Sequence, residues 1–447
     1  MITSLYISRK NVYSDPPFGG FERIRLFCYY FILVSYFLLP WIEFDSRKML
    51  LFDLENNKFY FFGKIFFPND LILLALFLIL IIILLFGVTL YAGRVWCGYL
   101  CPQTVWVKLY NLISRLIEGN RNNRIKLDSS TFSFKKIAFK FFKHFLWLIL
   151  AFFTSITFVA YFVTIDYLLD MLSNFEFKTL SFFWVIFFTV TTYFDAGWFC
   201  EQFCFLVCPY ARLQAVMFDK NTLIVAYDYG RGEIRGSRLK GIKYDDLGDC
   251  VDCKRCVNVC PTGIDIRDGL QIECISCAAC IDACNPVMKK LGYSPNLIRY
   301  TGKSVFQLSF MENIRFFAYT VTIVLLSVVF FCLLYFRPLV NFDVIRDQSV
   351  YGVIKDDIVE NNYLIKLINK STKKNDYIVF LKDSKFKYHG VKNITLESCE
   401  STSFFIKLFI KKNDLIEPFN DVVFILENVN PKNKFFLEKK SKFISLF

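Results

Sequence analysis

Eight cysteines in two runs, "CVDCKRCVNVCP" from Cys250 and "CISCAACIDACNP" from Cys274, have the spacing of metal ligands. Cys250, Cys253 and Cys256 followed by Cys260 form C-x2-C-x2-C-x3-C with Pro261 after it, and Cys274, Cys277, Cys280 and Cys284 repeat the pattern. A tight turn delivers three thiolates to three corners of a cube, and the fourth must arrive from elsewhere in the chain. In two-cluster ferredoxins the fourth cysteine of each run ligates the other cluster. The expected ligands are therefore Cys250, Cys253, Cys256 and Cys284 for one [4Fe-4S] centre, and Cys274, Cys277, Cys280 and Cys260 for the second. Four thiolates also suit tetrahedral zinc, but two copies of the full spacing, each with a proline within two residues, favour the clusters.

A second motif occurs twice. Cys97, Cys101 and Pro102 form C-x3-C-P, as do Cys204, Cys208 and Pro209. Residues at i and i+4 share one helix face, so a helix continuing past the preceding apolar segment places Cys97 and Cys101 together, and Pro102 then biases the chain away from helix. Cys200 adds another thiol one turn before Cys204. Cysteine also packs as a small apolar residue, the reading that suits Cys28 and Cys332, each alone in an apolar segment. A duplicated C-x3-C-P is harder to obtain from packing. Soft thiolates favour Cu(I), zinc and iron–sulfur clusters, so Cys97, Cys101, Cys204 and Cys208 are expected to form one metal or redox site, a further cluster among the alternatives, fed by the ferredoxin runs. The two histidines, His144 and His389, form no pair, and His144 reads as an interfacial helix residue at the entrance of its span. Trp96, Trp106 and Trp198 are expected to be interfacial belt residues.

These motifs sit on a chain of 447 residues that is 55% hydrophobic, with 54 Phe against 2 His, a composition that belongs to multi-span membrane proteins. Five windows, roughly 24–44, 70–92, 143–165, 179–198 and 316–336, reach the length of about 17–25 residues that a span needs. Residues 71–92 carry no charge at all. Orientation follows Lys and Arg in the loops: 93–137 holds eight against two acids, whereas 166–178 holds one Lys and three acids. With Arg9, Lys10, Arg23 and Arg25 also basic, the N-terminus, 93–137 and 201–315 are expected to be cytoplasmic, and 337–447 to lie outside. Nothing at the N-terminus reads as a cleaved signal. Thirteen of the sixteen cysteines then stand on the reducing side, where ligation is favoured over disulfides. The formal charge of +13 reflects this topology and contact with membrane lipid headgroups, and calls for no nucleic-acid partner.

After Pro338 the pattern changes to short β-rich runs such as "DYIVFLKD", "SFFIKLFIKK" and "DVVFILEN", which fit a β-sandwich of about a hundred residues. No catalytic grouping is visible there, Cys399 has no second cysteine to pair with, and a docking role is expected.

The chain as a whole resembles the cytochrome oxidase accessory proteins called CcoG, FixG or RdxA. The resemblance is carried by "FFGKIFFPNDLILLA", "GRVWCGYLCPQTVW", "CPYARLQAVMFDKNTLIVAYDYGRGEIRGSR", "GDCVDC", "CPTGIDIRDGLQIECISCAACIDAC", "LIRY" and "RDQSVYGVIKDDIVENNYLIKLINKS". It implies a bacterial inner-membrane protein that assists assembly of cbb3-type cytochrome c oxidase by reducing Cu(II) to Cu(I), a cupric reductase. The implied site is Cys97, Cys101, Cys204 and Cys208 for copper, beside eight cluster cysteines. Implied partners are oxidase subunits or copper chaperones and a cytoplasmic electron donor, with a homo-oligomer as a further expectation. Cys200 departs from the resemblance, because the family more often has a basic residue there.

The expected fold class is a polytopic α-helical membrane protein with five transmembrane helices, an inserted two-cluster ferredoxin-like domain and a C-terminal immunoglobulin-like β-sandwich. Its expected parts are a cytoplasmic segment 1–23, a four-helix membrane domain 24–215, a ferredoxin domain 216–315, a fifth helix 316–336 and an outer domain 337–447. Two rivals stand beside it. A membrane ferredoxin of the NapH or NosR type exchanges electrons with quinol, and quinone-dependent cluster reduction would mark it. A non-catalytic scaffold would hold clusters that never change redox state.

Overall fold

The computed structural model describes residues 12–44, 47–174, 176, 179–218, 222–237, 246–302, 314–347, 353–355, 358–371, 373–411, 419–429 and 435–444. Arg9 and Lys10 lie outside them. The chain divides into two compact units, Met1–Phe330 and Phe331–Phe447.

Five helical segments in the described residues are long and apolar enough to cross a membrane: Gly20–Trp41, Pro68–Ala92, Phe134–Val159, Leu180–Phe199 and Ile314–Tyr335. The first contains α1 (Gly20–Leu38). Short strands β1 (Glu43–Phe44), β2 (Arg47–Lys48), β3 (Leu50–Asp53), β4 (Lys58–Phe61) and β5 (Lys64–Phe66) follow it as antiparallel pairs. The second span is α2 (Leu71–Ala92), whose start is fixed by the Asp70 carboxylate accepting from the Phe67 N–H at 3.2 Å. Then come α3 (Val95–Tyr99), α4 (Pro102–Glu118), α5 (Arg121–Ser129) and the third span α6 (Phe134–Val159). Helix α7 (Ile165–Ser173) returns the chain to α8 (Leu180–Thr192), which runs into a wider π turn at Tyr193–Phe199.

The third span begins and ends earlier than its apolar window of 143–165. The preceding "FKKIAFKFFKHF" keeps an apolar face at helical spacing, and after Val159 the chain turns so that the Tyr161 carbonyl accepts from the Phe52 N–H at 2.7 Å. His144 therefore lies inside α6, not at its entrance, where its Nδ1 hydrogen-bonds the Tyr193 hydroxyl at 3.0 Å. Trp106 is not a belt residue. It is 8% exposed in the core between α1, α4 and α6, with its indole N–H on Thr154 Oγ1 at 3.3 Å and its ring edge-on to Tyr36. A buried indole needs such an acceptor, and Thr154 supplies it. Trp198, by contrast, is 47% exposed.

Helices α9 (Gln202–Leu206) and α10 (Pro209–Met217) lead into the cysteine-rich region. Its framework is a two-stranded antiparallel sheet of β6 (Ile224–Tyr227) and β7 (Ile298–Thr301), with α11 (Tyr229–Gly232), α12 (Arg255–Asn258) and α13 (Ala279–Leu291) between them. The fifth span is α14 (Ile314–Tyr335).

The second unit is all β. One sheet has the order β12 (Lys387–His389), β14 (Ser401–Lys411), β10 (Ile358–Asn369), β8 (Val340–Arg346), with β9 (Val353–Lys355) also on β10; the other runs β13 (Asn393–Leu396), β11 (Asn375–Leu381), β15 (Phe419–Asn428), β16 (Phe436–Ile444). All pairings are antiparallel. Burial alternates along β10, β14 and β15, the period-two pattern of a half-buried strand. Both sheets contribute to one apolar core: Tyr363, Ile365 and Leu408 from the first, Val379, Phe424 and Leu426 from the second. Cys399 is buried, and its thiol donates to the Ser371 carbonyl at 3.5 Å.

Phe424 is fully buried against Tyr363. Phe424→Ala is expected to destabilise this unit by about 3–5 kcal/mol. Hydrogen exchange on the full chain would read this as lost protection in 338–444 with unchanged iron content.

Candidate metal centre

Each ferredoxin run begins as a turn and enters a helix, Cys256 lying in α12 and Cys280 and Cys284 in α13. Asp252, Lys254, Ser276 and Ala278 have positive φ, which bends the backbone so that successive cysteines face inward. Two small cavities result side by side. Cys250, Cys253, Cys256 and Cys284 line the first, with Tyr227, Met288 and Leu297. Cys260, Cys274, Cys277 and Cys280 line the second, with Ile264, Ile266 and Ile275, and Cys256 touches both. The fourth cysteine of each run thus reaches the other run's cavity. Electrostatics give the same grouping. Burial pushes the Cys284 thiol up to about 12, followed by the nearby Cys256, Cys253 and Cys250. Cys280 is raised by burial and then by Cys277, Cys274 and Cys260.

The residues fit [4Fe-4S] groups. The second cavity is apolar apart from its thiols and Thr262, and the first also carries Lys254, Arg255 and Arg267, cations that suit the negative charge of a thiolate-ligated cluster. Among the described residues no three Cys, His, Asp or Glu side chains close on a single point as one ion requires. Four thiols spread around each space suit a cluster with separated iron corners.

The C-x3-C-P motifs also meet, by a route different from the expected continuous helix. Helix α2 stops at Gly93, whose φ of 58° and ψ of −130° are closed to most residues. Cys97 sits in the short α3, and Cys101 caps α4, whose first residue is Pro102. Proline lacks an N–H and has a pre-set φ, so it starts this helix instead of ending one. The second motif repeats every step. The π turn stops at Cys200, with φ 46° and ψ −124°, Cys204 sits in α9, and Cys208 caps α10 at Pro209. The Cys101 N–H reaches the Trp96 carbonyl at 2.9 Å, and the Cys208 N–H reaches the matching Phe203 carbonyl at 3.1 Å. Cys200 is therefore the counterpart of Gly93. It holds a conformation that favours glycine, while its thiol donates to the Ala196 and Gly197 carbonyls.

The four thiols lie within each other's field. Cys204 is pushed up to about 12, first by burial and then by Cys101, Cys97 and Cys208. Cys97 is likewise raised to about 12 by burial and Cys101, with Arg94 opposing, and it donates to Gln214 Oε1 at 3.4 Å. Gln214 is fully buried and also donates to Thr89.

The second quartet abuts this site. A Cβ on Gly98 would lie 2.7 Å from the Ile275 carbonyl and 3.0 Å from the Cys277 Cα. The turn carrying Cys277 thus packs directly on the turn carrying Cys97, and Cys97 joins the Ile275, Cys277 and Ala279 cluster. Tyr29 donates to the Gly98 carbonyl at 2.9 Å, and Tyr300 to the Ser276 carbonyl at 2.7 Å. The Arg94 guanidinium, 2% exposed, donates to the Ile272 and Ala211 carbonyls. Asp282, between Cys280 and Cys284, accepts from the Glu22 N–H at 2.8 Å and so caps α1. The end of α2 is met in the same way, Thr222 donating to the Leu90 carbonyl and the Leu223 N–H to that of Tyr91, both at 3.0 Å.

Sequence reasoning missed Arg94, Gln214, Asp282 and Glu201. Arg94 had a signal, as the first charge after an uncharged span. Glu201 is its counterpart in the second motif, and burial pushes its carboxyl up to about 7. Gln214 and Asp282 look like ordinary polar helix residues until their partners are known.

A chain of membrane-spanning helices carrying turns built for iron–sulfur clusters belongs to the membrane-linked electron-transfer proteins. Residues 199–303 match the model of a 4Fe-4S dicluster domain, 74–120 that of a 4Fe-4S binding domain, and 330–445 that of the IG-like fold at the C-terminal of FixG. RdxA and RdxB of Cereibacter sphaeroides are 34% and 35% identical over 83% and 84% of this chain and 82% of their own lengths. The nitrogen fixation protein FixG of Rhizobium meliloti is 40% identical over 66% of this chain, a match that spans 58% of that protein. The chain belongs to the FixG/RdxA family.

Gly98→Val places a side chain where the Ile275 carbonyl stands. Iron content is expected to fall toward that of one cluster, with the loss confined to the Cys260, Cys274, Cys277 and Cys280 quartet. Iron and sulfide assays with EPR of the reduced protein check this.

Proposed function

We propose that this protein is a cupric reductase of the cytoplasmic membrane that delivers electrons to copper for assembly of a cbb3-type oxidase. The observation that carries the reading is the side-chain-free contact at Gly98, which packs the Cys277 turn of the second quartet on the turn carrying Cys97, whose thiol lies in the field of Cys101, Cys204 and Cys208. In this reading Cys250, Cys253, Cys256 and Cys284 hold one [4Fe-4S] group and Cys260, Cys274, Cys277 and Cys280 the other. When bound, such groups supply one-electron storage and transfer at potentials set by burial and hydrogen bonding. No cysteine of the second quartet is fully exposed, whereas Cys253 of the first is exposed beside exposed Lys254 and Arg255. That edge is where a soluble donor is received.

Cys97, Cys101, Cys204 and Cys208 take Cu(II) as substrate, and one electron converts it to Cu(I). Soft sulfur prefers the cuprous ion, so binding and reduction favour each other. In this reading the cysteine-rich face is cytoplasmic, the side that loops rich in Lys and Arg favour, and the β unit is periplasmic, where it would meet oxidase subunits or a copper chaperone.

The test is anaerobic addition of Cu(II) to protein with pre-reduced clusters, with Cu(I) trapped by a chelator. Wild type is expected to reoxidise its clusters in step with Cu(I) formation. A variant with Ser at Cys97, Cys101, Cys204 and Cys208 should keep its eight-cysteine clusters and lose the coupling. Clusters that copper leaves reduced would sink the proposal.

A second reading has its own support. The 4Fe-4S binding domain match at 74–120 contains no cysteines but Cys97 and Cys101, which favours a further cluster at the four membrane-face thiols. Iron content separates the two readings: three clusters' worth in wild type, and two in the four-serine variant, identify the thiols as cluster ligands.

Electron entry at Cys253 predicts sensitivity to charge. Lys254→Glu with Arg255→Glu is expected to slow reduction by an acidic ferredoxin by about tenfold at low salt, while reduction by dithionite is unchanged. Stopped-flow bleaching of the clusters reads both.

A further inference from the structure

A cavity of ≈ 370 Å³ opens between α1 and α4. Its walls are mostly apolar, yet three cations line it: Arg25, Lys108 and Arg115. Glu22 serves two of them, pairing with Arg25 and with Lys108 at 2.9 Å. Arg115 has no ion-pair partner among the described residues. The Nε atoms of Arg25 and Arg115 are both buried without a hydrogen-bond partner, and Arg25 is only 4% exposed. The other carboxylate that lines the cavity is Glu201, with Cys200 and Cys204 near it in the chain. Burial pushes the Lys108 ammonium down to about 8, and the charges of Arg25 and Arg115 act in the same direction. Positive charge is therefore in excess in a place that water solvates poorly, which is a setting for an anion.

We propose that this cavity binds the phosphate of an anionic phospholipid through Arg25, Lys108 and Arg115, with the acyl chains along Leu26, Leu33 and Leu112. A lipid fits better than a soluble anion because of where the cavity lies. Arg25 is near the start of the first span, Gly20–Trp41. Helix α4 follows the second span and has one apolar face outward, with Leu112 46% and Leu116 77% exposed, and across the cavity Tyr30 on α1 is 67% exposed. Basic pockets between helices at this depth recognise anionic headgroups, and lipid-facing leucines complete the site for the chains.

Occupancy would also steady the redox site. Glu22, bridging Arg25 and Lys108, is the residue whose N–H is capped by Asp282 of α13. Ile275, Thr262 and Pro261 of the second quartet's loops border the same cavity. A bound phosphate holds α1 to α4, and α1 in turn holds α13 and, through Tyr29, the turn at Gly98.

The test uses the full-length protein with its clusters, in nanodiscs of phosphatidylcholine alone or with added phosphatidylglycerol, and in detergent by native mass spectrometry. Wild type is expected to retain one phosphatidylglycerol and to melt higher in the anionic discs. Arg115→Gln, which breaks no ion pair among the described residues, should keep its iron, bind phosphatidylglycerol about fivefold to tenfold more weakly and lose the stabilisation. Arg115→Lys should restore part of it. Equal retention of the two lipids by wild type, or full binding by Arg115→Gln, overturns the site. Stabilisation of lipid-free protein by millimolar inorganic phosphate, to the level seen in the anionic discs, would assign the cavity to a soluble anion and overturn the lipid. These readouts involve no copper, so they stand apart from the cupric reductase test.

Discussion

The Ile275 carbonyl lies where a side chain on residue 98 would have to be. Two cysteine-bearing turns, one following a membrane span and the other in the ferredoxin-like region, can touch only because Gly98 has no Cβ. Several other contacts hold this approach in place. Tyr29 and Tyr300 donate to carbonyls on its two sides, Arg94 reaches across to Ile272, and Asp282 caps the first span. Each of these polar groups is buried or half-buried, and each would cost stability if left without a partner. The contact is thus specified by geometry and by hydrogen bonding together.

The thiol site shows how a helix can be interrupted to serve chemistry. A continuous helix would carry Cys97 and Cys101 on one face, but the chain places them on two separate elements, α3 and the start of α4. Breaking the helix before each motif and restarting it at proline turns both cysteines inward. The first break uses Gly93 at little cost. The second uses Cys200 in almost the same dihedral region, where a residue with a Cβ stores about 1–3 kcal/mol of strain. Strain of that kind persists only where the surroundings over-determine it. The Cys101 and Cys208 amides, each bonded to the residue five back, are part of that surrounding structure.

Burial acts in two ways at both kinds of cysteine site. It raises the thiols of Cys284 and Cys204 alike, which favours protonated sulfur there in the metal-free chain. Ligation must displace those protons, and its free energy is therefore coupled to folding and to pH. The apolar walls that make ionisation costly are also the walls that exclude water once a cluster is in place. The same chain leaves Cys253 exposed, which identifies the edge of the first quartet as the part open to exchange with solvent or with another protein.

Patterns that repeat at short range were legible in the sequence. The spans follow from uncharged apolar runs, the crossed quartets from cysteine spacing, the β unit from alternating short runs, and the pairing of the two C-x3-C-P motifs from their duplication. Each of these rests on local periodicity or on a ligand set that must be complete. The residue before Pro102 leaves the helix as its proline dictates, Cys101 being extended, but the sequence misled in two places: Cys97 and Cys101 do not share one continuous helix, and Trp106 is buried on Thr154 although tryptophan near a span end usually marks the interface. Only the tertiary structure decided which quartet meets the membrane-face thiols, that Cys200 stands where its repeat has Gly93, and that Arg25, Lys108 and Arg115 share one cavity. Those facts depend on distances between residues far apart in the chain, and no local pattern records such a distance.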